Sequence, residues 1–283
     1  MTTPTLAQPA RSRIPLSHAA RDSVTMLRRN LKHALRYPSM TVSVIAMPVM
    51  MLLLFDYAFG GTLGSGINGL HDVPGASGGA GGLKYIDYLA PGIILMAATS
   101  GALATAVGVC SDKTEGIVNR FRTMAISRAS FLTGHVVGSV LQTLVSIVAV
   151  IGVALAVGFR PTADPLAWLA TAGLLTLVTL ALTWLSAAIG LVAATVESAS
   201  NIPLPMQFLP FLGSAIVPPS SMPGPLRWFA EYQPFTPVIE TLRGLLTGAP
   251  IGDHGVVALA WCLGLTLLGY LWARRAFNRG AAV

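Results

Sequence analysis

Charge is what this chain has least of. Asp, Glu, Lys and Arg make up 10% of its 283 residues, while 53% are hydrophobic. Soluble domains carry roughly a quarter charged residues. The composition therefore excludes a soluble globular domain and indicates an integral membrane protein. Cysteine is equally scarce. Cys110 and Cys262 both fall in or at the edge of apolar runs, so there is no metal-ligand spacing and no disulfide framework. The first 38 residues are polar and Arg-rich. They contain no apolar core of signal-peptide length, and the first span is expected to act as its own insertion signal.

Catalytic signatures are missing too. GGAGGLK at 78–84 has Leu83 where a phosphate-binding loop needs Gly before its Lys, and no Ser or Thr follows Lys84. His135, Glu197, Asn201 and Gln207 form no recognisable catalytic set. No catalytic residue, metal ligand or cofactor is expected in this chain. The apolar runs carry no midplane cluster of acids or arginines, which argues against a proton pump, a channel with a charged filter, or a voltage sensor. The net charge of +7 does not indicate nucleic acid, because the positive residues flank apolar runs rather than sharing one soluble face. No period-matched repeat relates the two halves, which weakens an inverted-repeat secondary carrier.

What is present reads as an all-α membrane protein with six spans, at about 39–59, 88–110, 131–157, 166–194, 199–217 and 256–273. Residues 1–16, with three prolines and no periodicity, are expected to be a disordered tail. From Ser17, Ala20, Val24, Leu27, Leu31 and Leu35 recur at helical spacing opposite Arg21, Arg28, Arg29, Lys32 and Arg36. Ser17 serves as N-cap and Pro38 ends this helix. A basic amphipathic helix just before a span suits the anionic membrane interface, as an anchor or as an elbow that contacts a partner.

Pro48 should kink the first span, and Asp56 lies near its far end. The Gly-rich residues 60–84 read as a loose external loop, with short helical pieces inside it as the alternative. Gly134 and Gly138 form a GxxxG pair in the third span, suited to close helix approach. Glu197 falls in a tight turn after the fourth span, where it is expected to cap the next helix near Ser198 and Ser200; a proton-relay role is the alternative. Mid-membrane, that carboxylate would cost about 2.5–3.5 kcal/mol. Pro203, Pro205 and Pro210 make the fifth span an irregular helix whose freed backbone groups need protein or water partners. Its Asn201, Gln207, Phe208 and Phe211 mix polar and aromatic character, as a cavity-lining helix would; a lipid-facing helix is the alternative. Residues 218–253 interleave Leu226, Trp228, Phe229, Val238, Ile239, Leu242, Leu245 and Leu246 with Glu231, Glu240 and Arg243. Two short helices dipping into the outer leaflet fit this pattern.

With six spans, 14 of the 18 Lys and Arg residues fall on the side that holds both termini. The positive-inside rule makes that side the cytoplasm.

Four of these positive residues lie in 111–128, SDKTEGIVNRFRTMAISR, between the second and third spans. As a helix, Ile117, Phe121 and Met124 share one face, with Asn119, Arg120, Arg122 and Thr123 elsewhere. A short charged helix with an apolar edge suits docking onto another protein; a positive loop that only fixes orientation is the other reading.

Five stretches in order resemble the permease subunits of type-2 ABC exporters, closest to the actinobacterial daunorubicin/doxorubicin-resistance permeases. They are PVMMLLLFDYAFGGTL at 48–63, YLAPGIILM at 88–96, DKTEGIVNRFRTMAISRASFLTGH at 112–135, VGFRP at 157–161 and FLGSAIVPPSSMPGPLRWFAEYQPFTPVIETLRGLLTG at 211–248. The third and fifth are the specific ones. The resemblance covers roughly residues 20–280, which makes 17–283 one transmembrane domain.

It implies six spans, an interfacial N-terminal helix, a coupling segment between spans two and three, and re-entrant helices before span six. It also implies that the permease pairs with a second copy or a paralogue, and that two copies of a separate cytoplasmic ATPase bind ATP and Mg. Many relatives carry an acidic residue within span three, where His135-Val136-Val137-Gly138-Ser139 has none, so that acidic role is not carried over.

On this reading Asp112, Glu115, Gly116, Ile117, Arg120, Phe121 and Arg122 couple the permease to the ATPase. The Glu and Arg side chains make polar contacts, while Ile117 and Phe121 fill a groove. The expected function is ATP-driven export of a hydrophobic or amphipathic, drug-like compound across a bacterial plasma membrane. Export of a lipid or glycan, an ATP-independent carrier, and a polytopic enzyme using His135 or Glu197 are the alternatives.

Overall fold

The computed structural model describes residues 38–69, 84–115 and 128–279. The expected N-terminal tail and amphipathic helix, and the greater part of 111–128, lie outside the described residues. Within them all regular structure is helical: α1 Pro38–Gly69, α2 Tyr85–Thr114, α3 Arg128–Val157, α4 Pro165–Val192, α5 Val196–Asn201, α6 Leu204–Phe208, α7 Gly224–Tyr232, α8 Phe235–Thr247 and α9 His254–Arg279, with a 3-10 turn at Pro219–Ser221.

Four of these contain apolar stretches long enough to cross a bilayer, Tyr85–Thr114, Leu132–Val157, Pro165–Val192 and His254–Asn278. They agree with the expected spans at 88–110, 131–157, 166–194 and 256–273. Within α1, Val44–Gly60 is a shorter apolar stretch. The protein is thus a multi-pass membrane protein. Exposed Val256, Leu263, Leu267 and Leu268 on α9 suit hydrocarbon rather than water.

Helix α2 is the centre of the bundle. It packs against α1, α3, α4, α5, α6 and α8, while α9 packs on α4 and α8. Every residue from Tyr85 to Ala102 is buried. Small residues let the neighbours approach. A Cβ on Gly92 would lie 2.5 Å from that of Ala215, one on Gly101 would collide with Thr143, and one on Gly190 would lie 2.5 Å from the Ala106 carbonyl oxygen. Gly134 and Gly138 of the GxxxG pair are buried on α3. At the start of α4, Asp164 accepts from the Ala167 amide at 2.7 Å and Pro165 takes the first turn, a capped N-terminus.

The structure corrects three expectations. Helix α1 does not stop at Phe59 but continues through the glycines to Gly69. Extending an existing helix adds a hydrogen bond per residue without a new nucleation cost, which offsets glycine's poor propensity. The stretch at 199–217 is not a continuous span. Proline at 203, 205 and 210 removes amide donors, and the backbone proceeds as α5, α6 and a series of turns, with Met206 bonded to Pro203, Phe211 to Phe208 and Gly213 to Pro210. Finally, Glu197 is not the cap of the helix after α4. Thr195 is, its Oγ1 accepting from the Ser198 amide at 3.2 Å. Glu197 sits in the first turn, where its charge suits the helix N-terminus.

Candidate functional site

The last turn of α2 opens the segment at 111–128. Ser111 donates from Oγ to Glu115 Oε1 at 2.9 Å, and Thr114 Oγ1 donates to the Ser111 carbonyl at 3.0 Å. Asp112 Oδ2 lies 3.6 Å from Nδ1 of His135 on α3. Lys113 turns the other way. Its Nζ donates to the carbonyl oxygens of Leu191 and Ala193, each at 2.9 Å. These carbonyls end α4, where a helix presents unsatisfied acceptors and partial negative charge. The close approach at Gly190 brings the two helix ends within reach, and Cys110 Sγ lies 3.8 Å from the Ala193 carbonyl.

Of the expected coupling residues, Asp112 and Glu115 stand here, Glu115 exposed and Asp112 partly so. Gly116, Ile117, Arg120, Phe121 and Arg122 lie outside the described residues. Lys113 was legible in sequence only as one more positive charge. Its acceptors are backbone atoms about eighty residues away and carry no residue signature.

The expected path residues divide. Phe208 on α6 and Phe211 after it have ring centroids 6.4 Å apart. Phe211 in turn meets Phe55 of α1 at 6.5 Å, and Phe55 stacks on Phe59 at 5.6 Å. Four rings thus form a file along α1 and the broken segment, with Phe208 54% exposed at its edge. Gln207 donates to Ser100 Oγ of α2 at 3.3 Å, placing a polar pair beside the rings. Asn201, at the end of α5, is exposed and takes no part in the aromatic file.

At the opposite end of α2, Arg243 of α8 is 2% exposed. Its guanidinium donates to the Ser214 carbonyl at 2.7 Å, to the Tyr88 carbonyl at 3.2 Å and to Glu240 Oε1 at 2.6 Å. It also lies 3.7 Å above the centre of the Tyr88 ring. A backbone acceptor freed by the broken segment thus finds its donor in an arginine. Nearby, the Arg160 amide donates to Asp87 Oδ1 at 3.1 Å, joining the turn after α3 to the start of α2. Among the described residues, no group of three or more His, Cys, Asp and Glu side chains is placed to hold a metal ion.

Residues 22–247 match the family model described as ABC-2 type transporter. The chain belongs to that family. This ABC-2 protein is 25% identical over 237 residues to a daunorubicin resistance ABC transporter permease protein of Streptomyces coeruleorubidus, covering 83% of this chain and 78% of that one. It is 24% identical over 180 residues to a probable doxorubicin resistance ABC transporter permease protein of Mycobacterium tuberculosis, covering 64% and 65%. It also matches ABC transporter G family member 20 of Dictyostelium discoideum, at 25% identity over 201 residues and 27% of that protein's length. The chain is a membrane permease subunit of an ABC transporter, a class that works with an ABC ATPase.

Proposed function

We propose that this permease exports a hydrophobic or amphipathic drug-like compound. Two permeases, copies of this chain or this chain and a paralogue, would assemble with two cytoplasmic ATPase subunits that bind ATP and Mg. Both termini and the 111–128 segment face the cytoplasm of a bacterial cell, in keeping with the charge distribution.

The observation that carries the reading is the seating of Lys113 on the end of α4. The helix that leads into 111–128 is bonded to the chain just before α5, and α5 leads into the broken segment with its aromatic file. A push that reaches the end of α2 from closing ATPases would pass to the chain entering α5 through these hydrogen bonds. Asp112, Glu115, Gly116, Ile117, Arg120, Phe121 and Arg122 form the docking element. Gln207, Phe208 and Phe211 line the path, with Asn201 at its edge. The permease names of the bacterial relatives favour a drug over a lipid or glycan as cargo.

The test is the double substitution Arg120→Glu with Arg122→Glu in the permease co-expressed with its ATPase. Expected is normal membrane insertion with loss of permease-stimulated ATP hydrolysis. Stimulation at the parent level refutes the docking assignment. A pull-down from native membranes that recovers no ATPase, even after cross-linking, refutes the complex itself.

A further inference from the structure

We propose that Arg243 is a positioning residue that fastens the α7–α8 pair and the broken segment to α2, so that movement at the Lys113 end of α2 is delivered to the opposite face. This rests on the reading of the chain as an ATPase-coupled permease and adds the residue through which the far side is reached.

The argument starts from the acceptors. Arg243 binds two main-chain carbonyls on two separate elements, Tyr88 on α2 and Ser214 at the end of the broken segment, while itself belonging to α8. Three elements thus meet at one guanidinium. The fork geometry of Arg permits this, whereas the point charge of Lys does not. Glu240, one turn earlier on α8, neutralises the charge at 2.6 Å, and the Tyr88 ring covers its face. A guanidinium 2% exposed is tolerated only with such complete pairing.

The Tyr88 carbonyl is available for a reason. A helical carbonyl keeps a second lone pair beside its helical bond, and that of Tyr88 accepts from Arg243 at 3.2 Å. Gly92 leaves the surface bare, so that Ala215 packs directly on the helix backbone. The sequence around Tyr88 is thereby shaped to receive both Arg243 and the chain beside Ser214.

Helix α2 is suited to carrying displacement. From Tyr88 to Lys113 it is one unbroken helix, about 37 Å at 1.5 Å per residue, and its first half is enclosed by neighbours. Lys113 fixes one end to α4 and Arg243 fixes the other to α8. Beyond α8, the exposed α7 carries Trp228 and Tyr232, 66% and 67% exposed, on the surface opposite the docking segment.

The experiment uses the permease with its ATPase in lipid nanodiscs, where both faces of the membrane are open to added reagents. Cys110 and Cys262, both buried, are replaced by Ala, and Trp228→Cys supplies one reporter thiol. Its labelling rate by a membrane-impermeant maleimide is measured without nucleotide and with MgATP plus vanadate. The parent is expected to show a several-fold difference between the two states. Arg243→Met should abolish the difference while the complex still assembles and hydrolyses ATP, and Arg243→Lys should restore part of it. A residue that only stabilised the fold would reduce the amount of assembled complex and leave the response per complex unchanged.

A full nucleotide response in assembled Arg243→Met overturns the proposal. If that variant does not assemble, Glu240→Gln is read the same way: an undiminished response overturns it, and a response reduced by half or more supports it. No difference in the parent itself counts against the ATPase-coupled reading on which the proposal stands, so the two failures are distinguishable.

Discussion

The ammonium group of Lys113 lies 2.9 Å from the carbonyl oxygen of Ala193, one residue beyond the last residue of α4. A cation placed on the C-terminal carbonyls of a neighbouring helix is doubly favoured, by charge-assisted hydrogen bonds and by the helix dipole. Here it also joins the start of the 111–128 segment to the stretch that enters α5. Lys113→Met should cost on the order of 1–2 kcal/mol, the usual worth of hydrogen bonds to a part-exposed charge. Thermal unfolding of the detergent-solubilised permease would report it, and Lys113→Arg should recover most of the loss. ATPase stimulation should fall with Lys113→Met and return with Lys113→Arg.

The contact between α2 and α4 near that cation depends on Gly190. A methyl group there would lie 2.5 Å from the Ala106 carbonyl oxygen, which is backbone and cannot rotate aside. Gly190→Ala should therefore cost about 1–3 kcal/mol, as overpacking does. Gly173→Ala is the control, since a Cβ there meets nothing within 4 Å. Equal unfolding temperatures for the two variants would contradict the packing described here.

Thr195 and Glu197 can be separated by the cap each provides. Thr195→Ala removes the side-chain acceptor of the Ser198 amide and should destabilise by about 0.5–2 kcal/mol. Glu197→Gln removes only a favourable charge near the helix N-terminus and should cost about 0.3–1 kcal/mol. A larger loss for Glu197→Gln than for Thr195→Ala would return the capping role to the carboxylate.

Phe208 and Phe211 should differ in the same way. Phe208 is 54% exposed, so Phe208→Ala should leave unfolding nearly unchanged while raising KM for daunorubicin, used as a test substrate in inverted vesicles. Phe211 is partly buried between Phe208 and Phe55. Phe211→Ala should lower stability by several tenths to about 1.5 kcal/mol from ring contacts alone. An unchanged KM in both variants, with transport measurable, would remove the aromatic file from the path.

Much of the helical layout was legible because its signals are local. The four bilayer-length helices follow from apolar runs, each complete within its own window. The proline cluster at 203, 205 and 210 announced a disrupted helix, though periodicity alone still drew it as one span. How far α1 extends was not legible. Glycine composition opposes helix locally, while the preceding helix favours continuation, and only the folded chain decides between them.

What the sequence alone determined is the class of molecule: its solvent, its main apolar segments, and a basic stretch between two of them. Hydrophobicity, charge and proline act through the residue that carries them, so these features can be read one window at a time. The tertiary structure decided which ends meet. Arg243 is 155 residues from Tyr88 and Lys113 is 80 from Ala193, and in both pairs the acceptor is a carbonyl that every residue possesses. An arginine in an amphipathic segment and a lysine at a helix end read as ordinary surface charges. Only packing around α2, with Gly92 and Gly190 admitting neighbouring backbones, turns them into the fastenings of the bundle.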